Sequence, residues 1–227
     1  MKAVLFDLDG TLLDRDESIK SFIAKQYERF KIYFNHIKKE MYCKRFIELD
    51  HHGYVWKDKV YEQLIDEFDI KGISHEQLLH DYLEQFKYHC IAFSNLYEML
   101  EKLKDMNIVL GIITNGKGPF QLDNVKALNI EMYFDVILVS ELEGIKKPHP
   151  LIFSRALERL NVSPSECIFV GDHPENDVIA AQSVGMVGVW KKNDHWSGVK
   201  ADYVIDDLGE LSLIIRDLYN KVSNKFL

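Results

Sequence analysis

Asp7 and Asp9 stand two residues apart at the end of an apolar run in AVLFDLDGTLLD, residues 3–14. Along a strand, side chains at i and i+2 point to the same side. The two carboxylates are therefore expected at one spot, at or just past the carboxyl end of a first strand. Carboxylates held together have two common uses. They ligate a hard cation such as Mg²⁺, which prefers oxygen donors. They also divide a reaction, one as nucleophile and the other as a proton donor whose pKa its surroundings raise. Gly10 permits a sharp exit from the strand, and Thr11 adds a hydroxyl at the turn. The competing account is a strand end closed by turn-forming Asp residues.

Three further stretches carry side chains of matching chemistry. GIITNG places Thr114 and Asn115 at a strand end, where a hydroxyl and nearby N–H groups can donate to a phosphoryl oxygen. A plain strand-to-turn junction reads the same way. In SELEGIKKPHP, Pro148 biases Lys147 toward extended backbone. Lys147 can offset carboxylate and phosphate charge. Lys146 competes for that role, and a solvated surface lysine is the alternative. CIFVGDHPENDVIAA sets Asp172 directly after an apolar strand and Asp177 at a helix start, where an Asp can serve simply as a cap.

Positioning these residues requires strands that end together. Val- and Ile-rich runs at Ala3–Phe6, Ile108–Ile113, Val136–Val139, Ile168–Val170, Val187–Trp190 and Tyr203–Ile205 are almost continuously apolar. Strands covered on both faces have that pattern. Amphipathic stretches at Leu96–Asp105, Phe120–Leu128, Leu151–Leu160, Asn176–Ser183 and Leu208–Lys221 alternate with them. Asn161 and Gly185 stand near helix ends, where such residues stop helices. The alternation predicts a doubly wound parallel α/β sheet, with ligands gathered outside the carboxyl ends of its strands.

One interval breaks the rhythm. Residues 16–91 carry only helical patterns, at Ile19–Phe34, His36–Glu48, Lys59–Phe68 and His75–Tyr88. They predict a helical domain inserted after the first strand, with residues 1–15 and 92–227 forming the core and short hinges near Leu13–Asp16 and Ile91–Asn95. There is no internal repeat or low-complexity segment.

Composition narrows the function classes. The 227 residues carry a formal charge of −8, are 47% apolar and include three cysteines without paired spacing, Cys43, Cys90 and Cys167. Net negative charge argues against a general nucleic-acid binder, so any anion site must be local. The expectation is a reduced, cytoplasmic chain. No run reaches the roughly 20 apolar residues of a membrane span, and the amino-terminal stretch has no signal-like apolar region.

The ordered set of DLDGT at Asp7–Thr11, TNG at Thr114–Gly116, Lys147 with Pro148, and GDHPEND at Gly171–Asp177 resembles the haloacid dehalogenase superfamily of hydrolases. The likeness spans nearly the whole core. It implies a Rossmann-like core, and the helical insertion resembles the C1 cap subclass, in which a cap closes over the site. It further implies a Mg²⁺-dependent phosphohydrolase acting on a small phosphorylated metabolite. By that resemblance Asp7 is the nucleophile that takes the phosphoryl group. Asp9 protonates the leaving oxygen and then deprotonates water. Thr114, Asn115 and Lys147 hold the phosphate. Mg²⁺ sits among Asp7, the main-chain carbonyl of Asp9, and Asp172, with Asp177 a direct or indirect support.

Other members of the superfamily resemble this pattern with different outcomes. A sugar-phosphate mutase uses the same residues. Dehalogenases lack the second acid of the first motif, here Asp9, and a pure binding module would be expected to lack one of the acids. In the insertion, ELDHHGYVWKDK gathers His51, His52, Tyr54 and Trp56 around Gly53, either packing that domain's own core or facing the site. WKKNDHWSG at Trp190–Gly198 follows the fifth strand as an entrance border or a surface loop. Substrate identity and oligomeric state are not set by these features.

Overall fold

The computed structural model describes residues 1–223. Strand β1 (Ala3–Phe6) opens the chain, and each of its residues is fully buried. A strand with no exposed face must lie inside a sheet covered on both sides, which explains its unbroken apolar run. Five more strands follow: β2 (Val109–Thr114), β3 (Val136–Val139), β4 (Cys167–Gly171), β5 (Val187–Lys191) and β6 (Tyr203–Ile205). All five pairings are parallel, in the order β3-β2-β1-β4-β5-β6. The order turns back between β1 and β4. That switch point opens a crevice at the carboxyl ends of the strands.

Gly111 shows how tightly β2 is held. A Cβ there would lie 2.5 Å from Leu5 Cδ2 and 2.6 Å from Val136 Cγ1. The core is continuous beneath this point, with Leu5, Ile113, Leu138, Ile152, Phe153 and Phe169 packed together.

The helices number α1 (Arg15–Arg29), α2 (Lys31–Phe34), α3 (Lys39–Asp50), α4 (Lys57–Glu67), α5 (His75–Gln85), α6 (Leu96–Asp105), α7 (Gly118–Ala127), α8 (Ser140–Glu143), α9 (Pro150–Leu160), α10 (Ala180–Ser183) and α11 (Leu211–Ser223). Asn161 closes α9 in the left-handed conformation, φ 54°. None of the described helices is long and apolar enough to cross a membrane.

Contacts divide the chain into two compact units. One takes Met1–Asp14 and the chain from Ala92 onward, and the other is Arg15–Ile91. The second unit is helical, with Phe22, Phe46, Tyr61, Leu64 and Phe86 in its own core. Buried within it, Asp50 binds two cations, its two carboxylate oxygens accepting from the one Arg15 Nη2 at 3.1 and 2.8 Å and a second ion pair coming from Lys57. The stretch expected as one helix over Ile19–Phe34 is two, α1 and α2. Tyr27 donates its hydroxyl to the Phe34 and Ile37 carbonyls, which draws the chain back on itself after Phe30. His51, His52, Tyr54 and Trp56 are exposed, so they do not pack this unit's core. Their loop runs through left-handed backbone at His51, His52 and Gly53.

The stretch expected as a helix over Asn176–Ser183 also differs. A π-helical turn at Pro174–Ile179 leads into α10. The wide turn carries the Asp177 side chain to two partners at once.

Candidate active site

β1 ends at Phe6, so Asp7 is the first residue beyond it. The chain then wraps around one carbonyl, with the N–H groups of Thr11, Leu12 and Leu13 all donating to Leu8 O at 2.9–3.2 Å. Gly10, at φ 82°, makes this turn possible. A Cβ on Gly10 would also lie 2.5 Å from Asp172 Oδ2, so the glycine leaves room for that carboxylate. Because the turn starts at once, the strand rule that aims i and i+2 at one point does not govern Asp9. The two carboxylates take different partners.

Asp7 Oδ1 accepts from Lys147 Nζ at 2.6 Å, and the same ammonium donates to Asp177 Oδ1 at 2.6 Å. Lys147 is 2% exposed, whereas Lys146 lies in solvent. Two of the three ammonium donors are thereby used, and one remains. Asp177 Oδ2 accepts from the His173 N–H at 3.0 Å. Both of its oxygens are engaged, so Asp177 holds Lys147 and the turn after β4. The side-chain cap of this turn is His173 instead, whose Nδ1 accepts from the Glu175 and Asn176 N–H groups.

Carboxylate oxygens of Asp7, Asp172 and Asp177 lie within 4.8 Å of one another. Burial pushes the Asp7 carboxyl up. Lys147 pulls it down, and the neighbouring Asp177 and Asp9 charges push it up again, to about 7. Burial, with Asp7 and Asp177 adding to it, likewise raises Asp172. Burial would lower the Lys147 ammonium, but Asp177 and Asp7 overcome it and hold the group above its ordinary value. Three carboxylates against one ammonium leave excess negative charge in a water-poor crevice. Such an all-oxygen set fits a hard divalent cation and is unsuited to a soft one.

Asp9 turns instead to Gln121 on α7, whose Nε2 donates to Asp9 Oδ2 at 2.6 Å and to Thr114 Oγ1 at 2.8 Å. Thr114 ends β2 and is 1% exposed. Asn115 is placed differently from the sequence expectation. Its carboxamide donates to Lys147 O at 3.0 Å and accepts from Lys147 N at 2.9 Å. Both ends are committed to the Lys147 main chain, so the side chain aligns the lysine rather than reaching out for phosphate. Thr11 Oγ1 is buried without a hydrogen-bond partner among the described residues.

Motif reading missed Gln121, Trp190 and Asn193 as parts of this arrangement. Trp190 Nε1 donates to Asp172 O at 2.9 Å, and Asn193 Nδ2 donates to Asp172 Oδ2 at 3.1 Å. The start of the WKKNDHWSG stretch thus fixes Asp172. The only signal for this was its place after β5, the strand next to β4.

The strand order and the carboxylate–lysine cluster at its switch point define an α/β protein of Rossmann-like topology with an ionic site at the strand ends. Within that class, residues 4–190 match the model of the haloacid dehalogenase-like hydrolases, and the chain belongs to that family. It is 38% identical over 136 residues to the glyceraldehyde 3-phosphate phosphatase of Pyrococcus furiosus, a match covering 55% of this chain and 57% of that one. The chain thus spans little more than half the length of that relative in the match. It is 29% identical to pyrophosphatase PpaX of Bacillus mycoides over 95% of this chain and 97% of that one. Among solved structures, a haloacid dehalogenase-type phosphatase from Thermococcus onnurineus superposes with a TM-score of 0.67 at 32% identity, covering 95% of this chain and 98% of its own.

Proposed function

We propose that this chain is a Mg²⁺-dependent phosphohydrolase that releases inorganic phosphate from a small phosphorylated metabolite through an aspartyl-phosphate on Asp7. The observation that carries this reading is the separation of the two motif acids. Asp7 lies against Lys147 in the cation-seeking cluster, and Asp9 lies outside it on Gln121. Two carboxylates in unlike surroundings are suited to unlike roles. The phosphatase names of the relatives support the same reaction class.

In this reading an Asp7 carboxylate oxygen attacks phosphorus as the phosphorus–oxygen ester bond breaks. The departing oxygen takes a proton from Asp9 and leaves as an alcohol. Water then attacks the phosphorus and gives a proton back to Asp9. The bond between phosphorus and Asp7 breaks, releasing phosphate. Covalent capture divides one hard displacement into two easier ones. Lys147 offers its third donor to a phosphoryl oxygen, and Thr114 offers its hydroxyl. Asp7, the Asp9 carbonyl and Asp172, with Asp177 in support, would hold Mg²⁺, which would supply positive charge against the phosphoryl oxygens.

The test is phosphate release with Mg²⁺ over sugar phosphates, nucleotides, small phospho-acids, glyceraldehyde 3-phosphate and pyrophosphate. Release from a carbon ester by wild type, lost in Asp7→Asn, is the expected result. No release from any member of the panel overturns the reading.

A further inference from the structure

We infer that Gln121 is a positioning residue that sets the proton donors on both sides of the phosphoryl group, by holding Asp9 and Thr114 with one amide nitrogen. This inference rests on the phosphohydrolase reading above.

Gln121 Nε2 donates to Asp9 Oδ2 at 2.6 Å, the orientation that the ionised form of Asp9, which takes the proton from water in the second step, requires because a carboxylate only accepts. Asn124 agrees from the other side, since its Nδ2 lies 3.1 Å from Gln121 Oε1. Gln121 is 2% exposed and Asn124 fully buried, so water does not compete for either amide. Gly116 leaves the space, because a Cβ there would lie 2.8 Å from Gln121 Cγ.

Fixing that nitrogen has two consequences. One of its hydrogens occupies Asp9 Oδ2, while Oδ1 takes no hydrogen bond among the described residues. Oδ1 is therefore the oxygen that carries the transferable proton. The other hydrogen goes to Thr114 Oγ1 at 2.8 Å and makes that hydroxyl an acceptor. The hydroxyl's own proton has no taker among the described residues, so it is available to a phosphoryl oxygen. The same nitrogen makes a longer contact to Asn115 O at 3.4 Å. One side chain thus joins the acid–base group, at the end of β1, to the phosphate donor, at the end of β2.

The experiment compares an alkyl phosphate with nitrophenyl phosphate for wild type, Gln121→Met, Asp9→Asn and the double variant, with Mg²⁺ present. Met keeps the length and volume and removes both donors. General acid catalysis is worth about 10²–10⁴-fold. Gln121→Met should lose roughly tenfold or more of that in kcat on the alkyl ester and much less on the nitrophenyl ester. KM should rise alike for both, reporting the Thr114 arm. On the Asp9→Asn background the extra loss in kcat should vanish, because the pair acts as one unit. Equal kcat losses on both esters, or losses that multiply fully in the double variant, overturn the inference. If Gln121→Met fails to fold by circular dichroism, Gln121→Asn, one methylene shorter, is read the same way. An unchanged ratio between the esters overturns the inference there too. Wild type inactive on both esters overturns the phosphohydrolase reading itself, which separates the two failures.

Discussion

Asp7 and Asp9 have the same chemistry and opposite settings. Lys147 and the nearby carboxylates surround Asp7, and the proposed nucleophilic role would require its charge to be balanced. Asp7→Asn should abolish phosphate release while the fold persists, a loss on the order of 10⁴-fold or more by the scale of nucleophile deletions. Beryllium fluoride should leave an adduct on Asp7 in wild type, readable by mass spectrometry. Activity of Asp7→Asn near wild type would refute the assignment. Asp9→Asn should distinguish leaving groups, with a gap of about 10²–10⁴-fold between alkyl and nitrophenyl esters. Lys147→Met should weaken both esters alike, because the lysine acts on charge common to both. Equal losses in Asp9→Asn would leave Asp9 with a structural role only.

At the scale of elements, the buried ion cluster of the helical unit ties the start of α1 to the end of α3 and the start of α4. Asp50 is 2% exposed, and its partners Arg15 and Lys57 are nearly as deep. Asp50→Asn leaves two cations without their carboxylate and should cost about 3–5 kcal/mol. Burial raises the Asp50 carboxyl, but Arg15 and Lys57 outweigh it and hold it below its ordinary 3.8. A depressed carboxyl stabilises the fold above its unfolded pKa and loses that contribution as pH falls through the folded value. Amide protection factors in α1, α3 and α4, taken against the intrinsic exchange rate at each pH, should therefore fall on acidification below about pH 4 in wild type, more steeply than in Asp50→Asn. The sheet offers a second check. Gly111→Ala would press a methyl against Leu5 and Val136 and should cost about 1–3 kcal/mol, seen as a lower Tm.

For the whole molecule, a charge of −8 means that any anion site must be local, and the proposed phosphohydrolase would draw its positive charge from a bound cation. EDTA should remove phosphate release and Mg²⁺ restore it. Ca²⁺ should restore it poorly, since its larger and looser shell suits the positions less well. Binding should also stabilise the fold by about 2.7 kcal/mol at a hundredfold excess over Kd. Asp7 and Asp172 both have raised pKa values without a cation, so protons compete with the metal for them. The Mg²⁺-induced rise in Tm should therefore be larger at pH 8 than at pH 5.5. A rise that is the same at both pH values would mean the cation binds elsewhere.

The strands were legible in the sequence because a strand covered on both faces needs an apolar residue at every position. β1 and β3 have the limits their apolar runs indicate, and so does the edge strand β6, although its Val204 is 48% exposed. The places of Asp7 and Asp172 were legible because each directly follows such a run, whereas Asp9 and Asp177 stand further along the turns beyond their strands. What the sequence leaves open is direction and pairing. Gln121 meets Asp9 across 112 residues of chain, and nothing in PFQLDNVK marks one glutamine for that contact. It depends on the rotation of α7 about its axis and on β2 lying beside β1. Asn115 lies in the motif, yet its carboxamide goes to the Lys147 backbone, whose N–H and carbonyl both lie within its reach. Asp172 likewise waits for Trp190 and Asn193, which reach it because β5 packs beside β4. Periodicity and residue type act along the chain and can be read there. Hydrogen-bond partners are chosen among groups brought together by the whole sheet, and only the folded chain decides them.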